Sequence, residues 1–113
     1  MSVFFEPKKV LLRDERSKSD RRFLTARHER NGDLVFEGQD VGEGVKAFWG
    51  YTEYEWTWTV KAHDVPKLML ALNVRRRLLT EIKRRFSGAN ASDVETFLKE
   101  SASPYLTWSR VGD

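Results

Sequence analysis

The sequence predicts an α+β fold in which an antiparallel sheet of about four strands carries two to three helices on one face, in the order β-β-β-α-α-α-β. Three observations predict this fold. Asn31-Gly32 is a turn signal between two strand-like segments, and aromatic residues alternate with polar residues from Glu53 to Ala62. Residues 64–100 then carry helix start and stop signals around apolar residues at helical spacing.

The chain of 113 residues fits one domain, 1–113, and its 40% apolar content is sufficient for a hydrophobic core. It contains no cysteine, which excludes disulfides, thiolate nucleophiles and zinc–thiolate sites, and we expect a cytoplasmic protein. No apolar run approaches ~20 residues and the N-terminus lacks the apolar core of a signal peptide. The sequence therefore predicts no membrane association.

The formal net charge is +3, but the charges are unevenly distributed. Residues 1–28 and 67–86 are rich in lysine and arginine, whereas residues 29–66 and 87–113 carry more acidic than basic residues. The chain is therefore polarised rather than uniformly basic, and both protein and nucleic-acid partners need to be considered.

At the N-terminus, Val3–Phe5 and Val10–Leu12 predict an edge strand that Pro7 interrupts. Arg13–Arg22 consists of charged and small polar residues, which predicts an exposed loop or a mobile link. We therefore expect residues 1–22 to be partly mobile and to include an edge strand.

The next segment predicts a β-hairpin around Asn31-Gly32. A two-residue turn would pair residues whose side chains belong on opposite faces, whereas a three-residue loop over 30–32 keeps the apolar residues together. In that loop Gly32 takes a left-handed conformation. The residues that share the apolar face are Leu24, Ala26, His28, Leu34 and Phe36.

Four glycines between residues 38 and 50 predict bends and close backbone approaches. A phosphate-binding loop is disfavoured, because the spacing matches neither G-x-G-x-x-G nor the P-loop pattern and no helix is expected behind it. Asp40 and Glu43 would also repel a phosphate.

The alternation from Glu53 to Ala62 places Tyr54, Trp56 and Trp58 on one face of a strand and acidic and threonine residues on the other. The aromatic residues form either an exposed stacking platform or half of a core. Burying about 150–250 Å² for each aromatic at about 25 cal/mol per Å² favours the core. The opposite, water-facing side of the sheet is then acidic, with Glu37, Glu53 and Glu55.

Asp64 and Pro66 predict the start of a helix that ends or kinks at Asn73. Apolar spacing predicts a second helix over residues 75–86, with Gly88 as its stop signal.

The capping-box pattern that links Ser92 to Glu95 predicts a third helix. After Pro104 the sequence alternates again, with Leu106 and Trp108 on one face, and predicts a closing strand.

The blocks LVFEGQDVGEGVKAFWG, EYEWTWTVKAHDVPKLMLAL and PYLTWSR, in this order, resemble a small family of bacterial hypothetical proteins. The resemblance spans residues 23–110. It implies a compact bacterial domain and carries no information on catalysis, because we associate no activity with that family.

No catalytic, cofactor or metal site is predicted. His28 lies on a predicted core face and His63 lies beside a helix start, and neither belongs to a metal-binding pattern. A carboxylate cluster for magnesium binding or acid–base catalysis is disfavoured, because its four candidates fall on loops and on a solvated strand face, where acidic residues are common; they are Asp40, Glu43, Glu53 and Glu55. We therefore predict that the protein is not an enzyme.

The first functional hypothesis is a small protein-binding module, such as an inhibitor or an immunity-like protein. Its partner is an unidentified protein. An aromatic loop over residues 48–51 and the acidic face of the following strand supply the predicted contact residues, which are Phe48, Trp49, Tyr51, Glu53 and Glu55.

The alternative is binding of single-stranded DNA or RNA through the basic N-terminal segment and the helix 75–86. The predicted contact residues are Arg21, Arg22, Arg76, Lys83 and Arg84. Burial of the strand aromatics would remove the usual base-stacking surface, and a basic amphipathic helix is also ordinary on a solvated surface. The protein-binding hypothesis is therefore favoured.

Overall fold

Within residues 6–112, five β-strands form one antiparallel sheet in which each strand pairs with its neighbours in the sequence. The structure is a computed structural model that describes these residues, with the backbone alone described at Trp49. The strands are β1 (Lys9–Arg16), β2 (Asp20–His28), β3 (Leu34–Gly42), β4 (Glu53–Val60) and β5 (Leu106–Gly112). The predicted α+β class with an antiparallel sheet is confirmed, with five strands rather than about four.

The same part of the chain contains four α-helices, more than the two to three expected. They are α1 (Glu43–Trp49), α2 (Val65–Leu72), α3 (Leu78–Phe86) and α4 (Val94–Glu100), with short 3₁₀ turns at 62–64 and 88–93. The element order is β-β-β-α-β-α-α-α-β, so the predicted order omitted one helix before β4 and the strand β1, which contains the Val10–Leu12 part of the predicted edge strand.

The additional helix α1 occupies the glycine-rich segment, for which the sequence predicted bends and no helix. Glycines bound this helix on both sides, because Gly42 has φ 131° and Gly50 has φ 80°. A Cβ at Gly42 would lie 2.0 Å from the carbonyl oxygen of Ser19, so the β1–β2 turn leaves room for glycine alone. The glycines therefore mark the ends of a helix rather than its absence.

The charged segment Arg13–Arg22, expected to be a loop, forms the end of β1 and the start of β2 instead. The pairing of these strands continues to Arg16, which lies opposite Arg21. Charged side chains suit this position because β1 is an edge strand. The other part of the predicted edge strand, Val3–Phe5, lies outside the described residues.

The connection between β2 and β3 is the predicted three-residue loop, residues 30–32. The amide of Glu29 donates to the carbonyl oxygen of Asp33 at 2.8 Å, and the glycine in the loop has φ 96°. Ala26 lies opposite Phe36, so the apolar residues of both strands share the predicted face. Turn chemistry and face matching were sufficient to predict this register.

Asp33 ties this loop to the end of β4. Its carboxylate accepts hydrogen bonds from Lys61 Nζ and from the amide of Ala62, each at 2.8 Å. The hydrogen bond from Lys61, followed by that from Ala62, lowers the pKa of Asp33 below its ordinary value of 3.8. The stabilisation is therefore present above pH 3.8 and is lost as the pH falls through the lowered pKa.

The hydrophobic core lies between helices α2–α4 and one face of the sheet, which we call the inner face. Trp56 and Trp58 point to the inner face and pack against this core, as predicted, although both remain partly exposed. The strands contribute Val10, Leu12, Leu24, Ala26, Leu34, Phe36 and Val60, and the helices contribute mainly Leu68, Leu72, Leu78, Leu79, Ile82, Phe86, Val94 and Leu98.

Helix α2 follows its predicted signals, whereas α3 begins later than predicted. Asn73 ends α2 in a left-handed conformation with φ 57°. The predicted helix over residues 75–86 is wrong at its start, because α3 begins at Leu78. Arg77 has φ 59° and turns the chain so that α3 starts with two buried leucines. Arg76 therefore lies in a bend and not on the helix face.

The backbone of β3 is in close contact with the Trp56 side chain. A Cβ added at Gly38 would lie 2.1 Å from Cζ2 of Trp56, well inside van der Waals contact. The indole is also flanked by Tyr54, whose ring centroid is 5.4 Å away, and by Trp58 at 6.0 Å. The ring therefore fills the space that a larger residue at position 38 would need.

We expect Gly38→Ala to destabilise the fold by about 1–3 kcal/mol, because the methyl group must displace a packed indole ring. Trp56→Ala removes the clash, so the double variant should lose less stability than the two single variants added together. Chemical denaturation of the four proteins measures this coupling. Purely additive effects would show that the indole moves aside at no cost.

Candidate functional site

The helical layer covers only part of the inner face. Leu24 is 3% exposed, whereas Arg22, two residues earlier on the same face of β2, is exposed. Four residues continue the inner face beyond the helices, each directly opposite the next across β1 to β4: Glu15, Arg22, Asp40 and Tyr54. We call these four residues the polar row. They lie at the end of the sheet where the β1–β2 turn is.

A cleft of about 300 Å³ opens beside the polar row, where α1 adjoins the sheet. We call it the α1 cleft. It combines acidic, basic, aliphatic and aromatic residues, which are Asp20, Arg21, Arg22, Asp40, Val41, Gly44, Val45, Phe48 and Tyr54. Concave sites of this size with a few convergent polar groups are typical of binding sites.

Hydrogen bonds in its first turn and just before it hold α1 at the side of the cleft. The amide of Gly44 donates to Oδ1 of Asp20 at 3.0 Å, and the amide of Gly42 donates to the carbonyl oxygen of Thr52 at 2.7 Å. Because the Asp20 carboxylate accepts a hydrogen bond from an amide of the first turn, it already neutralises the partial positive charge at the start of α1. Phe48, on the last turn, projects with 78% of its surface exposed.

Asp40 is the most unusual polar residue of the cleft. Its Oδ1 is buried and has no hydrogen-bond partner among the described residues. Burial raises the pKa of Asp40 above its ordinary value of 3.8, against the opposing effect of Arg22 and Arg13. The carboxylate is therefore kept in its place at a cost in stability, and such residues occur preferentially at functional sites.

A bulge in β1 brings a second buried polar group to this region. The register shifts between Leu11 and Arg13, which places Arg13 opposite Leu24 on the inner face. Its side chain is only 12% exposed, and Nε lies 3.4 Å from Oε1 of Glu15 without forming a hydrogen bond. The polar row is therefore bordered by a guanidinium whose Nε has no hydrogen-bond partner among the residues that the structure describes.

The indole ring of Trp56 lies between Tyr54 of the polar row and the core. Tyr54 and Trp56 are stacked, with an angle of 24° between their planes. Nε1 of Trp56 is buried and also has no partner within the described part of the chain. The indole therefore forms an apolar wall on the core side of the polar row, and Asp40 lies between this wall and the open cleft.

The structure places the predicted protein-binding residues in two locations. Phe48 and Tyr51 are exposed, by 78% and 44%, at the end of the sheet that carries α1. Glu53 and Glu55 lie on the opposite, outer face of β4. The side chain of Trp49 lies outside the described structure. Only Phe48 belongs to the lining of the α1 cleft.

The outer face of the sheet carries charges of both signs and not mainly acidic ones. Glu37 forms an ion pair with Arg27 at 3.1 Å, and Glu55 forms one with Arg110 at 3.0 Å. Both arginines lie on this face because of the strand register. The expectation of an acidic outer face is wrong, because it considered β3 and β4 without the strands beside them.

The residues predicted for nucleic-acid binding are divided between the sheet and the helical layer. Arg21 and Arg22 belong to β2, whereas Arg76, Lys83 and Arg84 belong to the bend before α3 and to α3 itself. Arg21 forms an ion pair with Asp14 at 3.3 Å, and Arg84 donates to Glu81 at 2.9 Å. Carboxylates of the same chain therefore already neutralise part of the positive charge of these five residues.

Sequence reasoning missed the role of Asp40, which it assigned to a loop. The sequence does contain a signal that places Asp40 on the inner face of β3. Residues 34, 36, 38 and 40 are spaced by two, so Asp40 shares a face with Leu34 and Phe36. Glu43, Glu53 and Glu55 do not join Asp40 on that face. Within residues 6–112, no group of three or more histidine or acidic side chains is arranged to hold a metal ion.

No helix within residues 6–112 combines the length and the apolar character that crossing a membrane requires.

Comparison with protein-family models, with curated protein sequences and with solved structures gave no match to this chain. The resemblance to bacterial hypothetical proteins therefore stays a prediction.

We expect Asp40→Asn to raise the melting temperature at neutral pH, because burial disfavours the carboxylate. The raised pKa means that protonated Asp40 stabilises the fold fully below pH 3.8, and that this contribution is lost as the pH rises through the folded-state pKa. The advantage of the variant should therefore shrink as the pH falls towards 3.8.

Scanning calorimetry across this pH range measures the effect. Asp93→Asn, at an exposed position, is the matched control. A variant that is less stable than the wild type at neutral pH would mean that attraction to Arg22 and Arg13 outweighs the cost of burial.

Proposed function

We propose that this chain is a non-enzymatic protein-binding module whose partner docks at the α1 cleft and against the exposed ring of Phe48. The observation that carries the proposal is the buried Oδ1 of Asp40, which lacks a partner among the described residues and belongs to a residue lining an open cleft. A buried acceptor in this state gains most from a ligand that supplies a hydrogen-bond donor and excludes water.

The charges around the cleft favour an amide group over a simple ion. A cation at Asp40 would be repelled by Arg22, and an anion at Arg22 would be repelled by Asp40 and Asp20. An amide offers a donor for the carboxylate and an acceptor for the guanidinium. Because a polypeptide presents amides at every residue, a protein segment matches this pattern better than a phosphate backbone does.

Phe48 supplies the apolar part of the proposed interface. Its ring is 78% exposed in the free chain, so a partner that covers it removes most of an aromatic surface from water. At about 25 cal/mol per Å² and about 150–250 Å² for an aromatic residue, this burial contributes a few kcal/mol. An aromatic anchor beside a polar cleft is typical of an interface hot spot.

Such a module acts by occupying the surface of its partner. This mode of action fits an inhibitor or an immunity-like protein, in which binding alone produces the effect. Tyr51, 44% exposed two residues after the end of α1, extends the proposed contact surface at this end of the sheet.

Single-stranded nucleic acid remains the second candidate, with less support. The five arginine and lysine residues proposed for it lie in two layers, and two of them are paired with carboxylates. Trp56 and Trp58 of β4 pack against the core, so they offer little exposed ring surface for base stacking.

We expect Phe48→Ala to weaken capture of a protein partner by about tenfold or more and to leave the melting temperature nearly unchanged, because the ring is exposed. Leu70→Ala is the matched control, since Leu70 is 81% exposed on α2 and lies outside the cleft. The immobilised wild type and both variants are compared in lysate treated with nuclease. The captured protein is then purified and titrated.

A partner that binds all three chains equally would place docking elsewhere on the molecule and contradict the proposal. Labelled single-stranded oligonucleotides titrated across a salt series, starting at about 50 mM, test the second candidate. Strong binding that falls steeply with salt, together with no protein capture, would favour nucleic acid over protein.

A further inference from the structure

The two edges of the sheet are built differently. At the β1 edge, a bulge between Leu11 and Arg13 interrupts the register, and α3 and the 3₁₀ turn at 88–93 contact the strand. The strand also ends in the charged residues 13–16. Bulges, charges and covering elements obstruct pairing with a further strand.

At the other edge, β5 is regular, and within the described residues its extensive contacts are with β4 alone. Its register with β4 runs without a shift from Leu106, opposite Thr59, to Gly112, opposite Glu53. Six of its seven residues are exposed. Its charged residue, Arg110, already forms an ion pair within the chain, so it does little to repel an approaching strand.

Large apolar side chains lie along this open edge. Leu106 is 62% exposed and Trp108 is 51% exposed, both on the outer face, and Val111 is 37% exposed on the inner face. An uninterrupted edge strand with exposed apolar side chains on both faces is a template for pairing with another strand.

We infer that β5 pairs in antiparallel fashion with β5 of a second copy of this chain, around a two-fold axis at Ser109. The two sheets then form one continuous ten-stranded sheet. The axis is normal to the sheet, so both helical layers lie on the same side. This contact involves none of the residues that line the α1 cleft.

The side chains of β5 are complementary to themselves in this register. Ser109 is the midpoint of Leu106–Gly112, so all seven residues find a partner. Trp108 lies opposite Arg110 of the second copy on the outer face, an arrangement suited to cation–π contact. Thr107 lies opposite Val111 of the second copy on the inner face, and no like charges face each other.

Neighbouring symmetric registers fit less well. A two-fold axis at Arg110 would place two arginines directly opposite each other, which is destabilising. An axis at Trp108 would bring Gly112 opposite Pro104, which has no amide hydrogen to donate. The self-complementarity at Ser109 favours a second copy over an unrelated strand, and two-fold dimers are the commonest protein assemblies.

Disulfide trapping tests this register directly, because the chain contains no cysteine. In Ser109→Cys, the two thiols of a dimer face each other across the axis. Opposed Cα atoms in an antiparallel pair are about 4.5–5.5 Å apart, within the range of a disulfide. In the control Leu106→Cys, each cysteine lies opposite Gly112 of the second copy. The two cysteines are therefore separated by six residues along the strand, which is about 20 Å.

We expect mild oxidation to convert Ser109→Cys to a covalent dimer much faster than Leu106→Cys, on non-reducing gels. Light scattering of the wild type at about 100 µM should give twice the monomer mass of 13.2 kDa. Ser109→Lys, at an exposed position, should weaken the dimer at least about fivefold through repulsion at the axis. Thr96→Lys, exposed on α4, should leave it unchanged.

A wild type of monomer mass at this concentration would overturn the proposal and would leave the β5 edge to a different polypeptide. Equal trapping of both cysteine variants, or preferential trapping of Leu106→Cys, would also overturn it. If Ser109→Lys fails to fold by circular dichroism, the two cysteine variants still decide the outcome, because the substituted positions are exposed and the replacements are small.

Discussion

The inner face of the sheet is longer than the helical layer that covers it, and this mismatch organises the molecule. A strand of nine residues spans about 30 Å, whereas helices of seven to nine residues span about 10–14 Å. The helices therefore bury the face as far as Leu24 and stop before Arg22. Beyond that point the strands still pair with each other, but the helices no longer cover their inner side chains, which contact water or a ligand instead.

The aromatic residues of β4 form the boundary between these two environments. Ring contacts run from Phe36 through Trp58 and Trp56 to Tyr54, from the closed core to the open cleft. Gly38 makes this possible, because its lack of a side chain lets the indole lie on the strand. A half-buried carboxylate next to such a wall reduces stability, and natural proteins retain such costs mainly where a site requires them.

Patterns of nearest neighbours made much of the fold predictable. Alternation assigned the faces of β4, the Asn31-Gly32 signal and face matching set the register of β2 and β3, and Asn73 marked the end of α2. These features depend on interactions among residues close in the chain or directly across one hairpin, which a sequence pattern contains.

The remaining features were decided by the tertiary structure. Alternation places Asp40 and Phe36 on the same face of β3. Whether a residue on that face is buried in the core or lines an open cleft depends on how far the helices extend. The outer face is mixed in charge because Arg110, 55 residues from Glu55 along the chain, completes it. The charged segment 13–22 forms a hairpin whose second strand also pairs with β3, and the Asp20 carboxylate, 24 residues before Gly44, holds the start of α1. The sequence by itself thus determined which residues share a face, and only the assembled sheet and helices determined which faces remained open.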